Sequence, residues 1–543
     1  MSKTLRLLSL LLVLITVVGC FAACGGSSEK KNNNTNNNNN TNNNNNNNNN
    51  NGGSVDVEEG GIDFIVKGNV TDKIGKQDFG GKTIKFVVTG ADFAEEEGSL
   101  QTRSIALMAK DDTSYEVNSA IIDRNKQVET ELNVKIKLEY SVTMQALSEH
   151  LTPLLATQMH TYDVVAGYQY FDIGLTLGDN VGAFLNYESL DPEKNFIDMS
   201  APYWDSYMYD TMMYKDCAFW ITGDLSLSWV SGVTVSFVNK TLWDQYTSVI
   251  SECTGGITDL YELVEKKMWT IDLISDISKK LWVDKNSNEI VDYDDIVGFI
   301  SYKNTLNCIM TDVLAAGAGI NYSTRNDDGV PEMSFDNRRT LGFATKLYTL
   351  YNNSNALLVD WDEEKYVVEM FAEGRVLFTP NYLHQAESSL REMTDTYLVL
   401  PPPLLFKGED YTTCLGDNVS QYGIPSTTLK QGDLAATTAT LEAMAFYSNQ
   451  MVTPVYYDKM LKGRFTHVES GDKQASMISM IRKSTFSDFA MVWSNQLGNV
   501  TWFFRQECLN RRISEKIASQ EGAWRSNLTK LLEDIESSLW VEP

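Results

Sequence analysis

Apolar and polar residues alternate over "TIKFVV", 83–88, with Ile84, Phe86 and Val88 on one side. That period predicts a strand with one buried face. From Ser114 the spacing lengthens: Val117, Ile121, Val128 and Leu132 recur at helical intervals, predicting an amphipathic helix. Val134, Ile136, Leu138 and Tyr140 then alternate with Lys135, Lys137 and Glu139, a second strand. Residues 144–159 read as helix, kinked or split by Pro153. "YDVVAGY", 162–168, reads as a short apolar strand. Strand, helix, strand, helix, strand implies right-handed crossovers and a mostly parallel sheet. Packed chain is expected from Asp78 onward.

The pattern then restarts. "AFWITGDLSL" and "GVTVSFVN" predict strands around Gly223 and Gly232. Helical periodicity covers 259–267, 270–281, 305–317, 337–351 and 361–373. "RVLFTP", 375–380, and "TYLVLPPP", 396–403, predict strands. Helices follow at 433–448, 455–462, 475–482 and 513–537. No short-period repeat is present, which excludes a solenoid. The pattern describes two α/β lobes, with the chain crossing between them more than once.

Ahead of the first strand the pattern is of another kind. Lys3 and Arg6 begin a run, residues 5–18, that is almost wholly apolar but short for a membrane span. Val17-Val18-Gly19-Cys20 fits the lipobox of bacterial lipoproteins. Phe21-Ala22-Ala23-Cys24 fits it less closely, although a flexible Gly-Gly-Ser-Ser follows. Lipid is expected on Cys20 or Cys24, Cys20 being the closer match. Residues 1–24 are thus expected to be a lipoprotein signal peptide with its lipidation site. Positions 32–51 hold 18 Asn and two Thr, so 25–61 is expected to be a disordered tether. The expected location is the extracellular face of the cell membrane.

Composition narrows the partners. The 543 residues carry 45 basic and 72 acidic side chains, a formal charge of −27. Such a surface repels phosphate backbones, which excludes nucleic acid as a partner. Anionic headgroups are repelled too, so attachment to a membrane must be covalent or hydrophobic. Cys217, Cys253, Cys308, Cys414 and Cys508 are widely spaced without CxxC. They read as free thiols, not as a disulfide framework or zinc site.

No catalytic signature emerges. The four histidines, His150, His160, His384 and His467, form no HExxH and accompany no nucleophile motif. There is no P-loop and no GxGxxG, and neither a cofactor nor a metal is expected. In "DKNSNEIVDYDD", 284–295, Asp284, Asn286, Asn288, Asp292 and Asp295 take positions 1, 3, 5, 9 and 12 of a calcium loop. Glu289 stands where that loop needs Gly, and Asp295 where it needs Glu. A solvated acidic turn is the expectation.

Several segments resemble one family. They are "SAIIDRNKQVETELNVKIKLEY", "FWITGDLSLSWVSGVTVSFVNKTLWDQY", "KMWTIDLISDISKKL", "MFAEGRVLFTPNYLHQAESSLREMTDTYLVLPPP" and "SGDKQASMISMIRKSTFSDFA". In this order they are similar to bacterial extracellular solute-binding lipoproteins of ABC importers, the sugar-binding family 1 branch. The resemblance implies a two-lobe, periplasmic-binding-protein-like α/β fold with a hinge and an inter-lobe cleft. It puts lobe one at 62–222 plus 403–450 and lobe two at 228–395 plus 451–543. It further implies capture of a sugar or oligosaccharide for an ABC permease. A peptide or other solute receptor of the same fold is the alternative, and a secreted carbohydrate-active enzyme the less favoured one.

A sugar site needs rings for stacking and carboxylates or amides for its hydroxyls. In α/β lobes such groups stand at the carboxyl ends of strands. Asp92 and Phe93 follow the first strand, and Tyr168 and Tyr170 close "YDVVAGY". Asp224 and Trp229 lie at the crossing. Tyr302 follows "VGFIS", with Lys303 beside it, and Asn381 and Tyr382 follow "VLFTP". The resemblance makes Tyr382 a stacking aromatic and Tyr168 a further contact. Plainer roles compete: Trp220 and Trp229 as filling between the lobes, Asp92 as a turn or cap, and Lys303 as a solvated lysine.

Overall fold

Two β-sheets organise the computed structural model, which describes residues 64–89, 116–142, 146–303, 309–360, 365–386, 389–457 and 471–540. These residues fall in one unit, Glu59–Pro543. The strands in chain order are β1 (Lys82–Thr89), β2 (Val134–Val142), β3 (Val164–Tyr168), β4 (Thr234–Asn239), β5 (Trp282–Val283) and β6 (Ile296–Tyr302). There follow β7 (Ser323–Arg325), β8 (Pro331–Met333), β9 (Leu357–Val359), β10 (Val376–Tyr382), β11 (Tyr397–Leu400) and β12 (Ser420–Gly423).

The first sheet has the order β12-β3-β1-β2. β1 is parallel to both neighbours, and β12 runs antiparallel along β3. The second sheet has the order β11-β4-β10-β6-β5, with β9 also pairing β6. β4 is buried along its whole length, as a strand flanked on both edges and covered on both faces must be. β7 and β8 form a separate hairpin. The two-lobe α/β organisation expected from the sequence is therefore present, with a mainly parallel first sheet.

Helices cover the sheets with the stripes their sequences carry. Glu116–Leu132 buries Val117, Ile121, Val128 and Leu132. Leu434–Tyr447 packs on it and is buried on nearly every side, consistent with its run of Ala, Thr and Leu. In the second half Ile271–Lys280 packs on Asn337–Asn353, and Gly471–Lys483 on β11.

The structure departs from the sequence expectations at several points. Packing begins before Asp78: Val70 is fully buried and its N–H donates to the Tyr447 hydroxyl, 3.2 Å. Isolated apolar anchors in a polar stretch leave no periodicity to detect. "AFWITGDLSL" contributes two isolated β-bridges, Ile221 to Tyr422 and Gly223 to Trp204, and then a short helix, Leu227–Ser231. Gly223 permits the second bridge, because a Cβ there would lie 2.2 Å from the Tyr203 carbonyl oxygen. Pro153 lies inside a single helix, Ala146–Ala156, which ends three residues beyond it. The helix expected to end at 448 continues through a π-turn, Ser448–Val452, into Thr453–Tyr457.

The 284–295 loop closes on its own side chains. Asp284 accepts the N–H groups of Asn288 (3.2 Å) and Glu289 (2.8 Å), and Asp292 accepts the amides of Asn286 (2.9 Å) and Asn288 (2.6 Å). Asp295 is buried and accepts Trp282 Nε1 at 2.8 Å. Cys217, Cys253, Cys414 and Cys508 form no disulfide among the described residues. No helix among the described residues is long and apolar enough to cross a membrane. Cys20, Cys24, the Asn tract, Asp92, Phe93 and Cys308 lie outside the described residues.

Candidate ligand site between the two sheets

Strands from the two sheets deliver side chains to one polar cluster. β3 ends at Tyr168, and the chain turns through Gln169 and Tyr170. Their N–H groups donate to the carbonyls of Val419 and Asp417, both at 3.0 Å. This ties the end of β3 to the segment leading into β12. β10 ends at Asn381 and Tyr382. Tyr382 is buried, and Gly416 lies against it: a Cβ at Gly416 would come 2.7 Å from the Tyr382 hydroxyl. Only glycine permits that approach.

Arg505, on the helix Val500–Glu507, stands at the centre. Its Nε and Nη2 donate to Asp312 at 2.8 and 2.5 Å, a fork-to-fork pair, and Nη2 also reaches Asp417 at 2.9 Å. Burial opposes the charge on Arg505, but Asp312 and Asp417 outweigh it and hold the guanidinium protonated. Burial and then the same two carboxylates push the Tyr382 phenol well above its ordinary range, so it is a neutral hydroxyl. Cys414 is buried beside them and its thiol is pushed up to about 12, mainly by burial. A thiol so protonated is no nucleophile at neutral pH. Gln169, Asp312, Cys414, Asp417, Thr501 and Arg505 border a cavity of about 40 Å³. That admits water but falls far short of the roughly 300 Å³ at which ligand pockets begin.

Tyr170 forms the aromatic edge of the cluster. Its ring stacks on Trp502 at 5.8 Å between centroids, and its hydroxyl donates to Asn499 Oδ1 at 2.6 Å. Asn495 Nδ2 donates to the Tyr170 carbonyl at 3.1 Å. Trp502 Nε1 is buried without a hydrogen-bond partner among the described residues. The cluster thus presents two rings, carboxylates, a guanidinium, amides and a neutral phenol. It contains no base hydrogen-bonded to a nucleophile.

The residues expected from the sequence divide into groups. Tyr170 and Tyr382 belong to this cluster. Tyr168 sits at its edge, buried, with its N–H donating to Asp172 at 2.7 Å. Asn381 accepts the Tyr382 N–H at 2.8 Å. Tyr302 closes β6, on the β9 side of the sheet, opposite Val359. Lys303 pairs there with Asp360 at 2.7 Å.

Asp224 and Trp229 form a different cluster. Asp224 accepts from Arg482 and Asn449, both at 2.6 Å, and from Thr453 at 3.3 Å. The Arg482 guanidinium lies between the rings of Phe64 (3.9 Å) and Trp229 (4.2 Å). Trp229 also donates to Asp205 at 2.8 Å. Arg505, Trp502, Asp312 and Asp417 are the members the sequence reading missed. Their only trace is an arginine three residues after a tryptophan in "TWFFRQ", one helical turn apart.

No protein-family model matches the chain, and no curated protein does. Several solved structures are similar to it. One is an ABC transporter solute-binding protein from Thermotoga lettingae with alpha-D-tagatose bound: TM-score 0.47, 13% identity, covering 83% of this chain and 100% of that one. Another is CpMnBP1 with mannotriose bound, at TM-score 0.45 and 16% identity, covering 83% and 99%. A third is a cyclo/maltodextrin-binding protein complexed with maltotetraose, at TM-score 0.47 and 11% identity, covering 84% and 98%.

Proposed function

We propose that this chain is a solute-binding protein that captures a polyhydroxylated solute, a sugar or oligosaccharide, between its two halves. One observation carries the reading: Tyr170 beyond β3 and Tyr382 at the end of β10 converge from different sheets on the Asp312–Arg505–Asp417 cluster. Stacking faces beside charged and amide hydrogen-bonding groups suit a molecule with C–H faces and hydroxyls. In the present arrangement Tyr170 touches Asn495, Asn499 and Trp502, and the cavity behind it has room for water alone. Entry of a sugar therefore requires the halves to part, as hinge-type binding proteins do. In this reading the protein is not an enzyme. Lipid on Cys20 or Cys24 holds it at the outer membrane face, and it hands its solute to an ABC-type permease.

Calorimetry with tagatose, mannotriose, maltotetraose and a set of oligopeptides tests this. Saturable binding of an unmodified carbohydrate is expected. Response to peptides alone overturns the sugar reading, and product formation with turnover overturns the non-enzymatic one. Mass spectrometry of the mature N-terminus tests the anchor: a lipid-modified Cys20 or Cys24 is expected, and an unlipidated free α-amine ends that part of the proposal.

A further inference from the structure

The helix Ser206–Met212 belongs to the half built on the first sheet. Asp205, just before it, donates its N–H to the Thr222 carbonyl at 3.0 Å, and Tyr209 is buried in the core shared with β1 and β3. A helix leaves its last four carbonyls without intrahelical partners. Here the Tyr209 carbonyl accepts the Met213 N–H at 3.1 Å. The carbonyls of Asp210 and Thr211, and that of Met213 beyond them, accept Nη2 of Arg325 at 3.1, 3.0 and 2.6 Å. The Met212 carbonyl accepts Trp493 Nε1 at 3.4 Å.

Both donors come from the other half. Arg325 stands on the β7–β8 hairpin, which packs on the helix Ile513–Ser537 and through it on Asn337–Asn353. Its Nη1 donates to the Gly329 carbonyl at 2.8 Å, so the turn of the hairpin aims the guanidinium. Trp493 follows the helix Phe489–Val492, whose cap Asp488 accepts the Tyr322 N–H and the Ser323 hydroxyl, both at 2.7 Å. The dipoles of the helix favour a cation at its carbonyl end. Two more contacts follow the same seam: Lys215 Nζ to Glu536 at 2.7 Å, and the Tyr207 hydroxyl to the Ser487 carbonyl at 3.2 Å. Met208, on the capped helix, borders the cavity of about 40 Å³ together with Asp312 and Arg505.

We infer that Arg325 is a latch, a positioning residue that holds the two halves against each other from outside the cleft. Its bonds all go to backbone carbonyls and none to the Asp312–Arg505–Asp417 cluster, so its pull does not depend on what the cleft holds. Parting the halves must break its three bonds to the helix. Water can take over the freed carbonyls, which makes the net cost modest and the latch releasable. This inference rests on the hinge motion in the reading above, and not on the chemical identity of the solute.

Small-angle X-ray scattering of the full-length protein, with no solute added, tests it. Arg325 and Lys215 are exposed, so replacing either leaves the cores intact. Arg325→Ala is expected to raise the radius of gyration above that of wild type. Lys215→Glu, which sets a like charge against Glu536, is expected to raise it less. Arg525→Ala is the control: Arg525 donates to the Met333 carbonyl of the same hairpin at 3.2 Å, but from the helix Ile513–Ser537 of its own half. It is expected to leave the radius unchanged. An unchanged radius in folded Arg325→Ala overturns the inference. So does an equal increase in Arg525→Ala, which would mean a loosened hairpin and not a released latch. If Arg325→Ala fails to fold, Lys215→Glu decides in the same way. Failure of the carbohydrate reading shows in calorimetry and leaves these radii as they are.

Discussion

Two largely buried arginines, Arg482 and Arg505, each answer to aspartate, and their surroundings differ. Arg482 is clamped between the rings of Phe64 and Trp229, and its Asp224 has no side-chain exposure and accepts from three residues. Arg505 shares two carboxylates, one of them 29% exposed, and borders a cavity of about 40 Å³. The first pair is sealed and the second stands open. The sealed pair joins segments that pass between the sheets: the 221–227 crossing, the π-turn at Asn449 and the helix Gly471–Lys483. Asn449 also accepts the Val66 N–H at 2.7 Å and donates to the Phe64 carbonyl at 3.1 Å. Asp224 and Trp229 thus act as a fastening at the crossing, with the Trp229 face already occupied by Arg482. Identical chemical groups give architecture where the carboxylate is sealed from solvent and a candidate recognition surface where one stays 29% exposed.

The strongest way to break this comparison is to remove one carboxylate from each cluster. Asp224→Ala leaves Arg482 buried and unpaired, which should cost about 3–5 kcal/mol of stability. Asp417→Ala leaves Arg505 still forked to Asp312 and its gap open to water, so roughly 0.5–1.5 kcal/mol is expected. Urea midpoints of both variants, at equal slope, measure the difference. Equal losses would show that the Arg505 cluster is as structural as the other. The binding readout should run the opposite way, with Asp417→Ala weakening a carbohydrate and any folded Asp224→Ala population keeping its affinity.

The sequence could not separate the two clusters, and the reason is physical. Strand ends announce themselves locally: the apolar run of "YDVVAGY" stops at Tyr168, and "RVLFTP" leads to Tyr382. Alternation and its end are enough to place those tyrosines at carboxyl termini of strands. Which strand end stays open depends on what arrives from elsewhere in the chain. Arg482 reaches Asp224 across 258 residues and Arg505 reaches Asp312 across 193. Both arginines sit on helices whose polar positions look like ordinary solvated faces. Trp229 therefore reads as an open ring although Arg482 covers it. The short pieces were hidden for another reason. β12, "SQYG", has four residues with no alternation, and β9 has three. Each is a strand only because β3 or β6 offers it an edge. The long periodic elements were legible because their burial pattern is written into their own side chains.

A third pair extends the comparison to the surface and carries the smallest expected effect. Lys473 lies on the same helix as Arg482 and donates to Asp259 at 2.9 Å, with side-chain exposures of 50% and 43%. Asp259 also caps the helix Leu260–Glu265 by accepting the Tyr261 N–H at 2.9 Å. Partial burial works against its charge, but the bonds from Lys473 and Tyr261 outweigh it and hold the carboxyl below its ordinary range. A lowered folded value means that the unfolded chain takes up the proton first. The contribution is therefore complete above the unfolded carboxylate value of about 3.9 and is lost as pH falls through the lower folded one. Asp259→Asn keeps an oxygen for the cap and so isolates the charge. At pH 7 it should cost only about 0.2–1 kcal/mol, as solvated pairs do, and less in 1 M salt. The gap to wild type should start to narrow as pH falls below roughly 5 and close below the lowered folded value. A loss at pH 7 as large as that of Asp224→Ala would mean that exposure does not set the strength of these pairs. The contrast between Arg482 and Arg505 would then need another cause.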